Sequence, residues 1–138
     1  MKRTSLLKKA ILYVMQGKKN PCFEKYRKGR FVMAVEYMHI GIPVTEKKPN
    51  MNYSEEMKLW LGNPDDYDYK IEYLKFEEGG PFPEIMTKNP HVAYKTDDMN
   101  PYLEDADEVI FGPVDAAPGA RMAFILKDGL IIELYETK

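Results

Sequence analysis

The chain has 138 residues, a mass of 16.1 kDa and a formal net charge of −2. That length fits one domain with a core large enough to stand without disulfide bonds. Hydrophobic residues at 44% and charged residues at 30% exclude collagen-like, low-complexity and wholly disordered chains. A single cysteine, Cys22, cannot form an internal disulfide, so the expected setting is reducing and cytoplasmic.

The small net charge hides a sorted one. Residues 1–32 hold ten Lys/Arg against one acid, Glu24, for a net of +9, whereas residues 33–138 hold ten against 21, for −11. Leu6, Leu7, Ala10, Ile11 and Val14 recur at helical spacing with Lys8 and Lys9 on the other side. This pattern predicts an amphipathic helix of ~11 residues, marginal on its own in water, which Gly17 ends. Lys18 to Arg30 is basic and without period. Lys8 and Lys9 interrupt the apolar run of a secretory signal, and no run approaches the ~20 residues of a membrane span. The expected division is a basic N-terminal extension, 1–32, and a folded domain, 33–138. Met33-Ala34 reads as a natural start, which makes the extension an appended leader. An arm packed on the body or on a partner subunit is the next reading, and a nucleic-acid or membrane-surface arm the weakest.

From Val35 the period becomes alternating. Met38, Ile40, Ile42 and Val44 share one strand face, and His39 shares the other with Tyr37 and Gly41. Thr45 to Asn52 is a polar loop. Met57 to Leu61 is a strand ended by the turn from Gly62 to Asp66, and Tyr69 to Phe76 is another, with Glu72 and Leu74 on one face. Glu78-Gly79-Gly80-Pro81-Phe82-Pro83 is the strongest break and marks the midpoint. His91 to Lys95 opens the second half. Asn100 is expected to cap a short helix with Pro101 at its first position, reaching Asp105. Glu108 to Phe111 reads as a strand ended by Gly112-Pro113, and Val114 to Ala120 as a loop. Arg121 to Leu126 and Leu130 to Tyr135 are strands joined at Asp128-Gly129, a hairpin signal. The sequence holds no nucleotide glycine fingerprint, phosphate loop or cysteine-based zinc spacing.

The only two histidines, His39 and His91, each open a half of the body. Each half closes with a strand carrying a lone acid among apolar neighbours, Glu72 in the first and Glu133 in the second. A carboxylate inside an apolar strand is costly unless paired or metal-bound. Taken singly, each of the four also fits an ordinary half-exposed strand position. Taken together, two imidazoles and two carboxylates make a mixed nitrogen/oxygen set that suits one divalent ion of Zn, Ni, Co, Mn or Fe.

Three segments carry a resemblance to a known family: Tyr37 to Pro43, Asn89 to Asp98, and Gly129 to Leu134. They resemble the vicinal oxygen chelate (VOC) superfamily, the glyoxalase/bleomycin-resistance/dioxygenase fold, over about Val35 to Glu136. The resemblance implies an α+β fold of paired βαβββ modules forming a curved mixed sheet around a metal. Thr45 to Asn52 is too short and proline-broken to supply the first module's helix, which is expected to be reduced or missing. His39, His91 and Glu133 would be ligands, Glu72 the fourth, and a homodimer is implied. The negative balance of the body argues against nucleic acid, and no membrane partner is expected.

The resemblance points to a metal-dependent lyase or isomerase acting on a small oxygen-rich metabolite, with Glu72 or Glu133 moving the proton. The alternatives are a non-haem iron dioxygenase using His39, His91 and Glu133, and a metal-free ligand-binding or resistance-type protein. Arg121 is expected to bind an anionic substrate group if it points into the cup. Tyr94 is placed beside it as a substrate contact, with Tyr37 and Tyr135 as further lining candidates. Trp60 reads as a plain strand aromatic.

Overall fold

The computed structural model describes residues 35–138. The basic extension and its expected helix lie outside the described residues. Eight strands form one mixed sheet: β1 Glu36–Pro43, β2 Asn52–Ser54, β3 Leu59–Leu61, β4 Ile71–Phe76, β5 His91–Thr96, β6 Glu108–Ala117, β7 Ala120–Lys127 and β8 Leu130–Thr137. Two short helices, α1 Glu84–Lys88 and α2 Asn100–Asp105, and one 3-10 turn, Pro64–Asp66, complete the described residues.

The spatial order is β2-β3-β4-β1-β5-β8-β7-β6. β1 and β5 lie antiparallel at the centre. Each pairs on its outer side, in parallel, with the last strand of its own half, β4 or β8. The two antiparallel hairpins then extend the sheet to its edges. The halves therefore mirror each other in strand order. The sheet is curled, because Leu61 on β3 and Phe111 on β6, near opposite edges of that order, line one cavity.

Alternation along the inner strands sorts side chains between the two faces. On β8, Ile131, Glu133 and Tyr135 face the concave side, while Ile132, Leu134 and Glu136 face the outer side. The outer face of the second half is sealed by α2. Met99, Ala123, Ile125 and Leu134 are fully or almost fully buried there, with Tyr102 and Leu103 packed against them. Met99, Ile125 and Leu134 each contribute about 1.5–3 kcal/mol on burial, which holds a helix too short to persist alone. On the inner side, Met86 of α1 packs with Phe124 and Ile131 and anchors α1 in the same way.

Several boundaries differ from the sequence reading. The helix after β5 begins at Asn100, with Met99 at its cap position and no side-chain cap bond. Asp98 takes that role in part, its carboxylate accepting the Asn100 N–H at 3.0 Å. Gly112-Pro113 does not end β6. The strand shifts register there and resumes, pairing Val114 with Met122 and Asp115 with Arg121. β6 is an edge strand, where a proline removes no ladder bond that the sheet needs. The short edge strand β2 and the helix α1 were not legible as periodic segments. Residues 44–51 contain no helix, as the proline-broken sequence led one to expect. The β7–β8 hairpin turns on Asp128 (φ 51°) and Gly129 (φ 80°), the two positive φ angles of a type I′ turn.

Candidate metal centre

Four side chains meet on the concave face, each from one of the four central strands: His39 from β1, Glu72 from β4, His91 from β5 and Glu133 from β8. His39 Nε2 lies 3.3 Å from Glu133 Oε2 and 3.5 Å from Glu72 Oε1. His91 Nε2 lies 3.1 Å from the same Glu133 Oε2. His39, His91 and Glu133 are buried, at 6%, 4% and 8% exposure. One ligand atom from each of these three falls within 4.8 Å of the others.

The register explains the convergence. Gly41 on β1 faces His91 on β5, and Ala93 lies opposite both His39 and Glu133. Ala93 is fully buried, so a small residue at the centre leaves room for the longer groups around it. Glycine at 41 does the same for His91. A Cβ there would lie 2.1 Å from the His91 Cε1 atom. The ring of His91 is held from the other side by Phe124, edge-on at 5.1 Å between centroids.

The donor set fits a divalent ion. Ligand atoms about 2.0–2.1 Å from a tetrahedral ion stand about 3.3 Å from one another, which matches the 3.1, 3.3 and 3.5 Å separations. His39 Nε2 is buried and has no hydrogen-bond partner, despite its two nearby carboxylates. A buried polar atom left unpaired costs about 1–3 kcal/mol, so the arrangement calls for something at its centre.

The electrostatics separate the two carboxylates. Burial works to raise the pKa of Glu133, but its contacts with His39 and His91 outweigh that and bring it down to about 2. Burial raises Glu72 above the usual carboxylate range, against the pull of His39. Burial opposes charge on His39, while Glu133 and Glu72 favour it more strongly and raise its pKa.

A cavity of about 620 Å³ opens over the centre. His39, Glu72 and Glu133 form its floor, and Met57, Leu61, Phe82, Phe111 and Met122 its apolar walls. Tyr135 lines it too. A smaller apolar space beneath His91 is lined by Leu59, Leu74, Met86 and Phe124.

Two expected substrate contacts lie elsewhere. Arg121 does not point into the cup. It alternates with Met122 along β7 and so faces outward, where Glu136 Oε1 and Oε2 accept its Nε–H and Nη2–H at 3.0 and 3.1 Å. Tyr94 alternates with His91 and Ala93 on β5 and lines an outer-face cavity with Tyr102 and Ile132. Tyr37 is also outside the cup, packing edge-on against Tyr94 and donating its hydroxyl to the Tyr69 carbonyl. Trp60 packs on Tyr53 and donates its indole N–H to Glu77.

The sequence reading missed two supports. Glu136 is 3% exposed and accepts the Met99 N–H at 2.9 Å, joining β8 to the start of α2. Its signal was an acid on the apolar face of β8, in step with Ile132 and Leu134. The apolar walls came from Met57, Leu61, Phe111 and Met122, which carry no chemical signature in a sequence.

No family model and no curated protein matches the chain. Among solved structures, the chain is similar to the crystal structure of hypothetical protein BH1468 from Bacillus halodurans C-125, at 22% identity and a TM-score of 0.53. The match covers 76% of this chain and 96% of that one. It supports the curled-sheet fold. No helix among the described residues is long and apolar enough to cross a membrane.

Proposed function

We propose that the chain is a VOC-type, metal-dependent enzyme acting on a small oxygen-rich metabolite by lyase or isomerase chemistry. The observation that carries this is the meeting of His39, Glu72, His91 and Glu133, with the buried His39 Nε2 close to both carboxylates but hydrogen-bonded to neither. The mirrored strand order is consistent with paired βαβββ modules, the first without its helix. A divalent ion held there would supply Lewis-acid stabilisation of negative charge developing on a substrate oxygen. His39, His91 and Glu133 would hold the ion. Glu133 lies under both imidazoles and is the fixed anion of the set. Glu72 is at the rim of the set, 3.5 Å from His39 and lining the cavity, where its carboxylate can take and return a substrate proton. The apolar walls exclude water from that transfer.

A second reading has one specific support. The tight ligand group contains His39, His91 and Glu133 but not Glu72, the two-His, one-carboxylate set of non-haem iron oxygenases. A metal-free binding protein is the third reading.

Metal analysis of the protein purified without added metal, paired with Glu72→Gln, tests these readings. A stoichiometric ion with Glu72→Gln losing turnover but holding metal supports the first. Iron(II)-dependent oxygen consumption that survives Glu72→Gln supports the second. No bound ion, and a melting temperature unmoved by chelator, overturns both enzyme readings.

A further inference from the structure

The cavity over the centre offers few side chains that can donate a hydrogen bond. Among the described residues that line it there is no lysine, arginine, serine, threonine, asparagine or glutamine. Its carboxylates are acceptors when ionised. On the metal-centre reading, on which this inference rests, His39 gives its Nε2 to the ion. The remaining polar side chain of the lining is Tyr135.

Three observations set the Tyr135 hydroxyl in the open space. Tyr135 stands two positions beyond Glu133 on β8, and so on the same strand face. Its partner across the β7–β8 pair is Met122, itself a wall of the cavity. The residue is half-buried, and its hydroxyl bonds to no described residue. That oxygen is nevertheless not one of the buried unpartnered atoms, which are His39 Nε2 and the Tyr102 hydroxyl. A hydroxyl with neither a protein partner nor burial is free to meet a ligand. Tyr37, by contrast, donates its hydroxyl to the Tyr69 carbonyl. Lys95, beside Tyr135 on β5, is exposed and does not line the cavity.

We infer that Tyr135 is a substrate-binding residue, its hydroxyl donating to a substrate oxygen that lies away from the ion. Two strand positions span about 6.5 Å, which sets the step from the Glu133 row to the Tyr135 row. The substrate class is therefore a molecule with an oxygen pair at one end for the metal, an apolar body against Phe111 and Met122, and a further oxygen acceptor about one such row along. A group placed to hydrogen-bond a substrate oxygen discriminates against analogues that lack it.

Four benzohydroxamic acids test this, since they share a metal-chelating head. Two carry an acetyl group, at the 3- or the 4-position, and two carry the similarly shaped isopropyl group there. The full chain and its Tyr135→Phe variant are loaded with zinc, metal content is measured first, and binding is then read by calorimetry. Tyr135→Phe is expected to hold zinc as the wild type does. It should weaken at least one acetyl compound about three- to tenfold, the net worth of one hydrogen bond, and leave both isopropyl compounds unchanged. A purely structural role for the ring would move acetyl and isopropyl compounds together. A wild-type protein that holds no zinc overturns the metal-centre reading and this inference with it. A zinc-loaded wild type that binds none of the four compounds overturns this inference alone. So does a variant that loses zinc, or one in which neither acetyl compound weakens more than its isopropyl counterpart.

Discussion

The imidazole of His91 occupies the space that any side chain at Gly41 would need, with the His91 Cε1 atom 2.1 Å from where a Cβ would stand. The two residues face each other across the central β1–β5 pair, so neither strand can move away without breaking the sheet at its middle. The ring is also fixed by Phe124 and bonded to Glu133 at 3.1 Å. Glycine at 41 is therefore part of how the centre is positioned.

Gly41→Ala is expected to displace His91 and lower metal affinity at least tenfold, with about 1–3 kcal/mol of overpacking cost. Equilibrium dialysis against zinc and thermal melting check both effects. Retained affinity with an unmoved melting temperature would show that the ring relocates freely.

Glu72 and Glu133 should separate in mutational tests. Glu133 touches both imidazoles, so Glu133→Gln is expected to abolish stoichiometric metal binding. Among the described residues Glu72 forms an ion pair with His39 alone, and Glu72→Gln is expected to weaken metal about tenfold or less, which is ~1.4 kcal/mol. Dialysis on the two variants side by side checks this order.

Away from the site, Glu136 ties Arg121 and the Met99 N–H together. Glu136→Gln is expected to cost about 1–3 kcal/mol while leaving metal content unchanged. The backbone bond from Met99, with Arg121 beside it, outweighs burial and holds the Glu136 pKa below its ordinary value. The folded carboxylate thus binds its proton less readily than the unfolded one. Its stabilisation is fully present above the unfolded carboxylate range and is lost as pH falls through the depressed value. Denaturant melts of wild type and Glu136→Gln should accordingly converge as the solution is acidified below about pH 4.

Arg121 and Tyr94 face the outer side, so Arg121→Ala and Tyr94→Phe should leave metal affinity unchanged. Arg121→Ala removes the partner of Glu136 and is expected to lower the melting temperature by several degrees. Loss of metal in either variant would contradict the assignment of faces.

These contrasts show what the sequence could disclose. His39, Glu72, His91 and Glu133 stood out because alternation put each chemically costly group on a defined strand face, and the pairing of β1 with β4 and β5 with β8 brings those faces together. Arg121 and Tyr94 failed as cavity residues for the same reason. Each is an odd number of positions from a residue that does face the cup, one from Met122 for Arg121 and three from His91 for Tyr94, and so falls on the opposite face. The continuation of β6 past Gly112-Pro113 was hidden because glycine and proline signal a turn locally, while an edge strand tolerates both. The edge strand β2 and the helix α1 are too short to show a period and are fixed by tertiary contacts, Tyr53 against Trp60 and Met86 against Phe124 and Ile131.

The central claim is that His39, His91 and Glu133, with Glu72 beside them, hold one divalent ion. The most direct measurement is elemental analysis of the full chain purified without added metal, alongside His39→Ala and after chelator. The account predicts about one equivalent of a transition metal or zinc in the wild type, none in His39→Ala, and a lower melting temperature after chelation. A metal-free wild type that takes up no zinc and melts identically with and without chelator would contradict it.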